Sequence, residues 1–365
     1  MNMKKSATNT FGILTSGGDC PGLNAAIRGV AKAAYGIYGM KIIGISNGYK
    51  GLIEDDTRVL RPEDFSGILT RGGTILGTSR EKPFGKVKDS DFAVDKKLDA
   101  IKETYKKNNL DCIVMLGGNG SHKTANLLKE QGLNVIGLPK TIDNDIFGTD
   151  ITFGFHTAVD IATEAIDRLH STAHSHNRVM VIEVMGHNAG WLALFSGIAG
   201  GGDVIIIPEI PYDIESIKNH LNGRAKSGKE FSIVVVAEGA ISCEEAKMDK
   251  KQLKLKRKEG LFPTKGYEIA REIEESTGMD VRVSVLGHLQ RGGAPSPYDR
   301  VIATQFGTVA AELLYKGEFG KMVARERDNI VAKPLEEVAG KIKLVPKEHI
   351  LIKNARMIGT CFGDK

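Results

Sequence analysis

Residues 112–124 read CIVMLGGNGSHKT, so that five apolar residues lead directly into a glycine-rich turn and then into a polar segment. A short run that is apolar throughout is typical of a strand buried on both faces of a parallel sheet. Similar runs recur along the chain at residues 11–15, 41–46, 134–138, 179–184, 203–207 and 232–237. Because longer segments with helical periodicity separate these runs, the sequence predicts an α/β protein built from βαβ units.

The length of the chain predicts two domains. It has 365 residues, which is more than a single hydrophobic core usually holds. We place the first domain at residues 1–154 and expect the chain to return to this domain at about residues 290–340. The second domain is placed at residues 155–289, together with about 341–365.

The composition excludes several classes of protein. Hydrophobic residues make up 41% and charged residues 26% of the chain, as in soluble globular proteins. We find no apolar run of the length of a signal peptide or a membrane span. The four cysteines lie far apart, which indicates neither a disulfide framework nor a zinc site. The basic stretch at 244–260 contains glutamates among its lysines and therefore predicts a solvated helix. We expect a cytoplasmic protein that binds neither nucleic acid nor a membrane.

Two glycine-rich turns suggest a site for phosphate groups. They are LTSGGDCPGLNAA at 14–26 and LGGNGSHKT at 116–124, and each follows an apolar run. Glycines let the backbone approach a phosphate, and the following helix directs free N–H groups towards it. Neither turn matches the dinucleotide fingerprint, and His122 stands where a P-loop has glycine. Simple packing of a strand on a helix would explain one such turn, but two turns with the cationic stretch RGGTILGTSR at 71–80 favour a polyphosphate site.

A third turn, LPKTIDND at 138–145, carries two acids. One carboxylate of the pair Asp143 and Asp145 could accept a proton from an attacking hydroxyl, while the other holds a metal. An Asp-Asn-Asp sequence is also common in turns and helix caps. The residues alone leave both interpretations open.

Six ordered motifs resemble those of the bacterial-type phosphofructokinases along nearly the whole chain. The motifs lie at residues 14–29, 71–80, 139–145, 183–191, 237–239 and 287–300. The resemblance implies two Rossmann-like, three-layer α/β domains with mostly parallel sheets and an active site in the cleft between them. It also implies that the enzyme transfers the γ-phosphoryl group of ATP to the 1-hydroxyl of fructose 6-phosphate in glycolysis, with Mg²⁺ as cofactor.

The resemblance assigns roles to individual residues. The residues in direct contact with the reaction are Asp143 as catalytic base, Asp145 as its metal-linked partner, Thr141 and His187. The donor site comprises Gly18, Arg80, Glu81, Gly118, Asn119, Gly120, Ser121 and Lys140. The sugar phosphate is bound by Thr141, Asp143, Arg178, Met185, Gly186, His187, Glu238, Arg282, His288 and Arg291. Since Arg178 and Arg282 reach into a neighbouring subunit in that family, a homodimer or homotetramer with shared active sites is expected.

The chain departs from the family's usual pattern at positions that concern the donor and the metal. Glycine at position 120 is typical of the ATP-dependent members of the family, because an aspartate there would block the α-phosphate. Lysine at position 140 is typical of the pyrophosphate-dependent members. We expect ATP, since a flexible lysine can swing aside, and place the chain in a mixed-substrate ATP and pyrophosphate branch. Asn119 replaces a metal-binding aspartate, so it offers an amide oxygen with less charge. His187 replaces an arginine and is largely neutral near pH 7.

Two alternatives to the ATP-dependent enzyme remain at this point. One is a pyrophosphate-dependent fructose 6-phosphate 1-phosphotransferase, favoured by Lys140. The other is a catalytically weak sensor of sugar phosphate or nucleotide, favoured by the lost charges at Asn119 and His187. A nicotinamide-dependent dehydrogenase is disfavoured because the dinucleotide fingerprint is missing.

Overall fold

A computed structural model describes residues 6–85 and 91–364. Within these residues the chain forms eleven strands. They are β1 (Thr10–Ser16), β2 (Lys41–Ile45), β3 (Thr57–Leu60), β4 (Cys112–Gly117), β5 (Val135–Pro139), β6 (Val179–Val184), β7 (Val204–Ile206), β8 (Ser232–Ala237), β9 (Val281–Val285), β10 (Lys321–Glu326) and β11 (Asn329–Pro334). The seven apolar runs of the sequence all coincide with strands.

Twelve α-helices lie between or after these strands in the described residues. They are α1 (Leu23–Gly36), α2 (Tyr49–Glu54), α3 (Asp91–Lys107), α4 (Asn119–Glu130), α5 (Phe155–His176), α6 (Trp191–Ala199), α7 (Ile214–Lys226), α8 (Lys250–Glu259), α9 (Lys265–Thr277), α10 (Pro297–Lys316), α11 (Leu335–Val338) and α12 (Ile350–Met357). No helix in this described part of the chain is both long enough and apolar enough to cross a membrane.

The chain divides into two compact units, each with its own sheet. The first unit consists of the described part of residues 1–157 and of 291–343. Its seven-stranded sheet has the order β11-β10-β5-β4-β1-β2-β3, in which the pairs β10–β11 and β2–β3 are antiparallel and the other pairs are parallel. The second unit consists of residues 158–290 and 344–364. Its four strands, in the order β7-β8-β6-β9, are all parallel. The predicted α/β class with mostly parallel sheets is confirmed.

The packing of α1 on α10 in the first unit depends on two glycines. A Cβ at Gly29 would lie 2.8 Å from the carbonyl oxygen of Thr304. A Cβ at Gly307 would lie 2.6 Å from the carbonyl oxygen of Ala26. Real Cβ atoms do not approach backbone this closely, so the two helix backbones touch only because these side chains are missing. This contact fixes α1, and with it the glycine turn from which α1 starts.

Parallel strands point their carboxyl ends to the same edge of a sheet, and ligands of open α/β sheets bind beyond that edge. In the first unit, the neighbouring strands β1, β4 and β5 lead into the two glycine turns and the Thr141–Asp145 turn. In the second unit, the neighbouring strands β6 and β8 lead into His187 and Glu238. The fold therefore places most of the predicted site residues at the functional edge of one sheet or the other.

Candidate active site

The turn after β1 is held by the segment that contains the predicted cations. The N–H group of Gly17 donates to the carbonyl oxygen of Ser79 over 2.9 Å, and the hydroxyl of Thr78 donates to the carbonyl oxygen of Gly17 over 2.7 Å. Gly17 has a φ of 88°, a backbone conformation that favours glycine. The glycine turn and the 71–80 stretch are thus hydrogen-bonded to each other, as expected if both bind the same phosphate groups.

Two predicted donor residues lie at the end of this segment and directly after it. Arg80 is exposed, and its guanidinium is accessible to a ligand. The carboxylate of Glu81 pairs with the ammonium of Lys97 over 2.7 Å, with both side chains about one-third exposed. An exposed pair of this kind is weak, so Glu81 can exchange Lys97 for a ligand hydroxyl at little cost.

The turn after β4 is open on the side where a ligand would enter. Gly118 is the N-cap residue of α4, and it has no side chain that could accept a hydrogen bond from the first N–H groups of the helix. A Cβ at Gly120 would meet no atom of residues 6–85 or 91–364 within 4 Å. The hydroxyl of Ser121 donates to that of Ser16 over 3.0 Å, which ties this turn to the end of β1. Free helix N–H groups beside an open space form the kind of site that binds phosphate.

Asn119 is oriented by a contact that the sequence did not reveal. Its side-chain N–H group donates to the carbonyl oxygen of Lys341 over 2.7 Å. An aspartate at this position would present a carboxylate oxygen to that carbonyl oxygen and would lose the bond. The carbonyl oxygen of Lys341 therefore favours an amide over a carboxylate at position 119. Because this bond uses the amide nitrogen, the amide oxygen can still contact a ligand.

His122, in the first turn of α4, is fully buried. Its Nδ1 lies 2.9 Å from the carbonyl oxygen of Gly118, and its Nε2 has no hydrogen-bond partner among the described residues. Burial lowers the pKa of His122 to about 4. In the unfolded chain the imidazole titrates near 6.5, so between these two values the unfolded state binds a proton that the folded state does not.

We expect His122 to make the protein less stable as the pH falls from about 6.5 to about 4. The loss at the lower limit is on the order of 3 kcal/mol, since each pKa unit corresponds to about 1.4 kcal/mol. His122→Phe removes the titration, so the decrease in Tm between pH 7 and pH 5 should be smaller in this variant than in the wild type. The exposed His176, replaced by glutamine, is the control and should retain the wild-type decrease. An unchanged decrease in His122→Phe would contradict the assignment.

Lys140 connects the two glycine turns. Its side chain is buried, and its ammonium donates to the carbonyl oxygen of Gly18, while its backbone N–H group donates to that of Gly117 over 3.0 Å. Desolvation lowers the pKa of Lys140. The expectation that this lysine is free to swing aside is wrong, because burial and the bond to Gly18 hold it in place. Its ammonium is therefore held at the first glycine turn.

The turn after β5 presents the two acids in a constrained backbone. The N–H group of Asp143 donates to the hydroxyl of Thr141 over 3.1 Å, and both residues are buried. Asn144, between the acids, has a φ of 50°, and its side-chain oxygen accepts the N–H group of Thr152 over 3.1 Å. Asparagine adopts this left-handed conformation more readily than most residues, and the bond to Thr152 holds it in place. Asp145 is half-buried at the end of the turn.

Lys343 contacts this turn, although nothing in the sequence singles it out. Its ammonium donates to the side-chain oxygen of Asn144 over 3.0 Å and to the carbonyl oxygens of Thr149 and Asp150, each over 2.9 Å. Burial lowers the pKa of Lys343 to about 8, and the carboxylates of Asp150 and Asp145 oppose this effect. The side chain therefore remains a cation at pH 7.

In the second unit, the ends of β6 and β8 meet at a hydrogen bond. The N–H group of His187 donates to the carboxylate of Glu238 over 2.9 Å. His187 is exposed and has a φ of 51°, while Gly186 before it has a φ of 138°. The N–H group of Met185 points to the side-chain oxygen of Gln290 at 3.4 Å. A carboxylate and two residues with positive φ thus lie together at one turn, as expected for a site that binds hydroxyl groups.

The two predicted residues of the GHLQRGG motif differ in their surroundings. His288 is exposed in the short 3-10 helix Gly287–Arg291. Arg291 belongs to the first unit, where its guanidinium donates to the carbonyl oxygen of Asp19 over 3.0 Å. A Cβ at Gly18 would lie 2.9 Å from the same guanidinium. The structure thus brings Arg291 to the first glycine turn.

Arg178 and Arg282 lie at the other end of the second sheet. Arg178 precedes β6 and Arg282 is the second residue of β9, and the neighbouring Met180 and Arg282 are in register. Both guanidinium groups pair with Asp280, that of Arg178 over 2.5 Å. His187 lies beyond the opposite end of β6, and at 3.3 Å per residue the strand alone separates the two ends by roughly 17 Å. Within one chain, the two arginines therefore cannot reach a ligand held by His187.

Comparison with known proteins agrees with these motifs. Residues 10–314 match the family described as phosphofructokinase. The ATP-dependent 6-phosphofructokinase of Spirochaeta thermophila is 71% identical over 365 residues, covering 99% of this chain and 100% of that protein. The ATP-dependent 6-phosphofructokinase 3 of Bacteroides thetaiotaomicron is 53% identical, covering 97% of this chain and 99% of that protein. The structure of phosphofructokinase from Saccharomyces cerevisiae has a TM-score of 0.78 at 30% identity, over 90% of this chain and 45% of that one.

Proposed function

The chain belongs to the phosphofructokinase family, and from this premise we propose that it transfers the γ-phosphoryl group of ATP to the 1-hydroxyl of fructose 6-phosphate as a cytoplasmic enzyme of glycolysis. The observation that carries the proposal is the meeting of three turns at one edge of the first sheet. Strands β1, β4 and β5 are neighbours, so the two glycine turns and the turn with Asp143 lie side by side. Phosphate-binding turns next to a potential base are what phosphoryl transfer requires.

In the proposed reaction, Asp143 accepts the proton of the attacking hydroxyl as its oxygen approaches the terminal phosphorus. Thr141 lies beside it and contacts the transferred group. In such a transfer the protein forms no covalent bond to the phosphoryl group, so catalysis depends on positioning the reactants and on stabilising negative charge. The N–H groups at the start of α4 and the ammonium of Lys140 supply positive charge on the donor side.

The choice of ATP rests on the space at Gly120. Since a Cβ at this position would meet no atom of the described residues within 4 Å, a phosphate group can approach the backbone here. Use of pyrophosphate is a second candidate, as in a mixed-substrate branch of the family. It is favoured by Lys140, whose buried ammonium contacts the first glycine turn and whose backbone N–H group contacts the second.

Magnesium fits the residues at the start of α4. Mg²⁺ retains several waters and is usually bound through one or two protein oxygens together with substrate phosphates. The amide oxygen of Asn119 is available for such a role because the bond to Lys341 uses only the nitrogen, and Asp145 would act through a bound water. The ion, when bound, would neutralise charge on the transferred phosphoryl group.

We assign acceptor binding to the residues of the second unit. Glu238 accepts hydroxyl groups of the sugar, and Met185, Gly186 and His187 form the turn around it. Arg178 and Arg282 bind the 6-phosphate of a sugar held by a neighbouring subunit, because they lie at the far end of their own sheet. Arginine gives strong, charge-assisted bonds to phosphate. The active form is therefore at least a homodimer with shared sites, and a tetramer satisfies the same requirement.

Sharing of sites predicts complementation between two defective chains. In a hybrid of Asp143→Asn and Arg282→Ser chains, one site combines an intact Asp143 with an intact Arg282 from the other chain. Random pairing of equal amounts should thus restore about a quarter of the wild-type activity in a dimer with two-fold symmetry. Each variant alone should remain defective. If the mixture, after unfolding and refolding together, is no more active than the variants alone, the sites are not shared.

The proposed activity is tested by identifying the product. Incubation with ATP, Mg²⁺ and fructose 6-phosphate should give ADP and fructose 1,6-bisphosphate, which aldolase then cleaves to triose phosphates. Phosphorylation at another position, which aldolase would not reveal, would refute the assignment of the acceptor. Binding of sugar phosphate without turnover would instead favour a sensor.

A further inference from the structure

The segment Lys341–Lys343 contacts two of the three turns that form the donor side of the site. The carbonyl oxygen of Lys341 accepts the amide of Asn119 at the second glycine turn. Ile342 forms an antiparallel bridge with Ile146, and the N–H group of Lys343 donates to the carbonyl oxygen of Asp145 over 2.8 Å. This segment, here called the strap, therefore lies against both the metal-site candidate and the catalytic turn.

The ammonium of Lys343 is the strap's main contact with the catalytic turn. It donates to three neutral oxygens, which belong to the side chain of Asn144 and to the backbone of Thr149 and Asp150, at 2.9–3.0 Å. Three neutral oxygens around one positive charge, with the carboxylates of Asp150 and Asp145 near enough to stabilise it, resemble the surroundings of a bound monovalent cation. Here the charge is covalently attached, so it cannot be lost by dilution.

The oxygens that Lys343 contacts are themselves fixed. The side-chain oxygen of Asn144 also accepts from Thr152, which holds the left-handed backbone between the two acids. The N–H group of Asp150 donates to the carbonyl oxygen of Arg325 over 2.8 Å, which connects this loop to β10. Lys343 thus joins the residue between Asp143 and Asp145 to an anchored edge of the sheet.

We propose that Lys343 is a positioning residue, whose ammonium serves as a built-in monovalent cation that holds the catalytic turn in the geometry needed for phosphoryl transfer. The inference rests on the proposed function and adds a residue to it. Displacement of a catalytic group by about 1 Å can cost on the order of 10²-fold in rate. Since the hydrogen bonds of the ammonium go to the catalytic turn and to the loop that follows it, its loss should affect kcat more than KM.

The first test compares Lys343→Met with the wild type. Methionine keeps most of the hydrocarbon chain and removes the charge. We expect kcat to fall about 10²-fold, with KM for ATP and for fructose 6-phosphate within a few-fold of the wild type. The exposed Lys347, replaced by alanine, is the control and should leave kcat unchanged. A kcat of Lys343→Met within twofold of the wild type would overturn the proposal.

A second test asks whether a free cation replaces the missing one. In Lys343→Ala, n-propylammonium has the size of the deleted group and should restore kcat in a saturable manner, whereas 1-propanol should not. Neither compound should affect Lys347→Ala. Failure of propylammonium to raise kcat, or equal rescue by 1-propanol, would mean that the charge of Lys343 has no role in positioning.

Hydrogen exchange separates this inference from the proposed function. In the ligand-free Lys343→Met protein, amides of residues 141–152 should exchange at least tenfold faster than in the wild type, while those of β1 and β4 should not change. Unchanged exchange in 141–152, or faster exchange throughout the first unit, would overturn the positioning role. If the wild type fails to phosphorylate fructose 6-phosphate, the proposed function fails, but the exchange result still decides whether Lys343 holds the turn.

Discussion

Asp143→Asn is expected to lower kcat by about 10²- to 10⁴-fold, the range typical for loss of a general base. Asparagine has nearly the shape of aspartate but cannot accept the proton of the attacking hydroxyl. The hydrogen bond to Thr141 is made by the backbone N–H group of residue 143, so the substitution does not remove it. The fold of the turn, and with it the KM for fructose 6-phosphate, should therefore change little.

Steady-state kinetics with ATP and fructose 6-phosphate measures this effect directly. Asp167, an exposed acid on α5, provides a matched control, since Asp167→Asn makes the same chemical change away from the site. The control should retain wild-type turnover. If Asp143→Asn keeps a kcat within a few-fold of the wild type, Asp143 is not the base and the proposed mechanism is wrong.

Gly120→Asp is expected to weaken the use of ATP by at least tenfold in kcat/KM. The new carboxylate would enter the open space where the α-phosphate is proposed to lie. Two like charges a few ångströms apart repel by roughly 1 to 4 kcal/mol, depending on the local dielectric. Since each 1.4 kcal/mol is a factor of ten, even the middle of this range gives the predicted effect. Pyrophosphate has no nucleoside to exclude, so its use should suffer less and the donor ratio should shift towards it.

The structure indicates that this substitution leaves the fold intact. Position 120 is the second residue of α4, and an acid in the first turn of a helix interacts favourably with the helix dipole. The Tm of Gly120→Asp should therefore equal or exceed that of the wild type. Gly120→Asn separates volume from charge and should weaken ATP use less than aspartate does. Equal use of ATP by the wild type and Gly120→Asp would place the α-phosphate elsewhere.

The sequence predicted the strands with continuous apolar runs, which include the edge strand β7, but it did not predict β3, β9, β10 and β11. Strands β1, β4 and β8 lie inside their sheets, and each contains a run of buried apolar residues that identifies it in the sequence. The edge strand β9 reads VRVSV, and only its first residue is buried. Strands β10 and β11 form an antiparallel pair at the edge of the larger sheet. Edge strands need polar residues on the exposed side, which removes the continuous apolar signal.

The site could be predicted where it depends on glycine-rich or acidic turns after strands. These turns are local in sequence, so their chemistry is visible in the residues themselves. The contacts made by the strap are not local, because Lys343 meets Asn144 across 199 positions of the chain. The burial of Lys140 could not be predicted either, since a lysine is normally expected at the surface. Asp280, which pairs with both Arg178 and Arg282, lies 102 positions from Arg178 and has no motif of its own.

The identity of the phosphoryl donor tests the account most directly, because it decides between Gly120 and Lys140. The measurement is kcat/KM of the wild-type protein for ATP and for pyrophosphate, at saturating fructose 6-phosphate and Mg²⁺. We expect ATP to give the higher value, and activity with ATP to be lost when Mg²⁺ is removed. A higher kcat/KM for pyrophosphate would contradict this expectation, and would show that the buried charge of Lys140 outweighs the open space at Gly120.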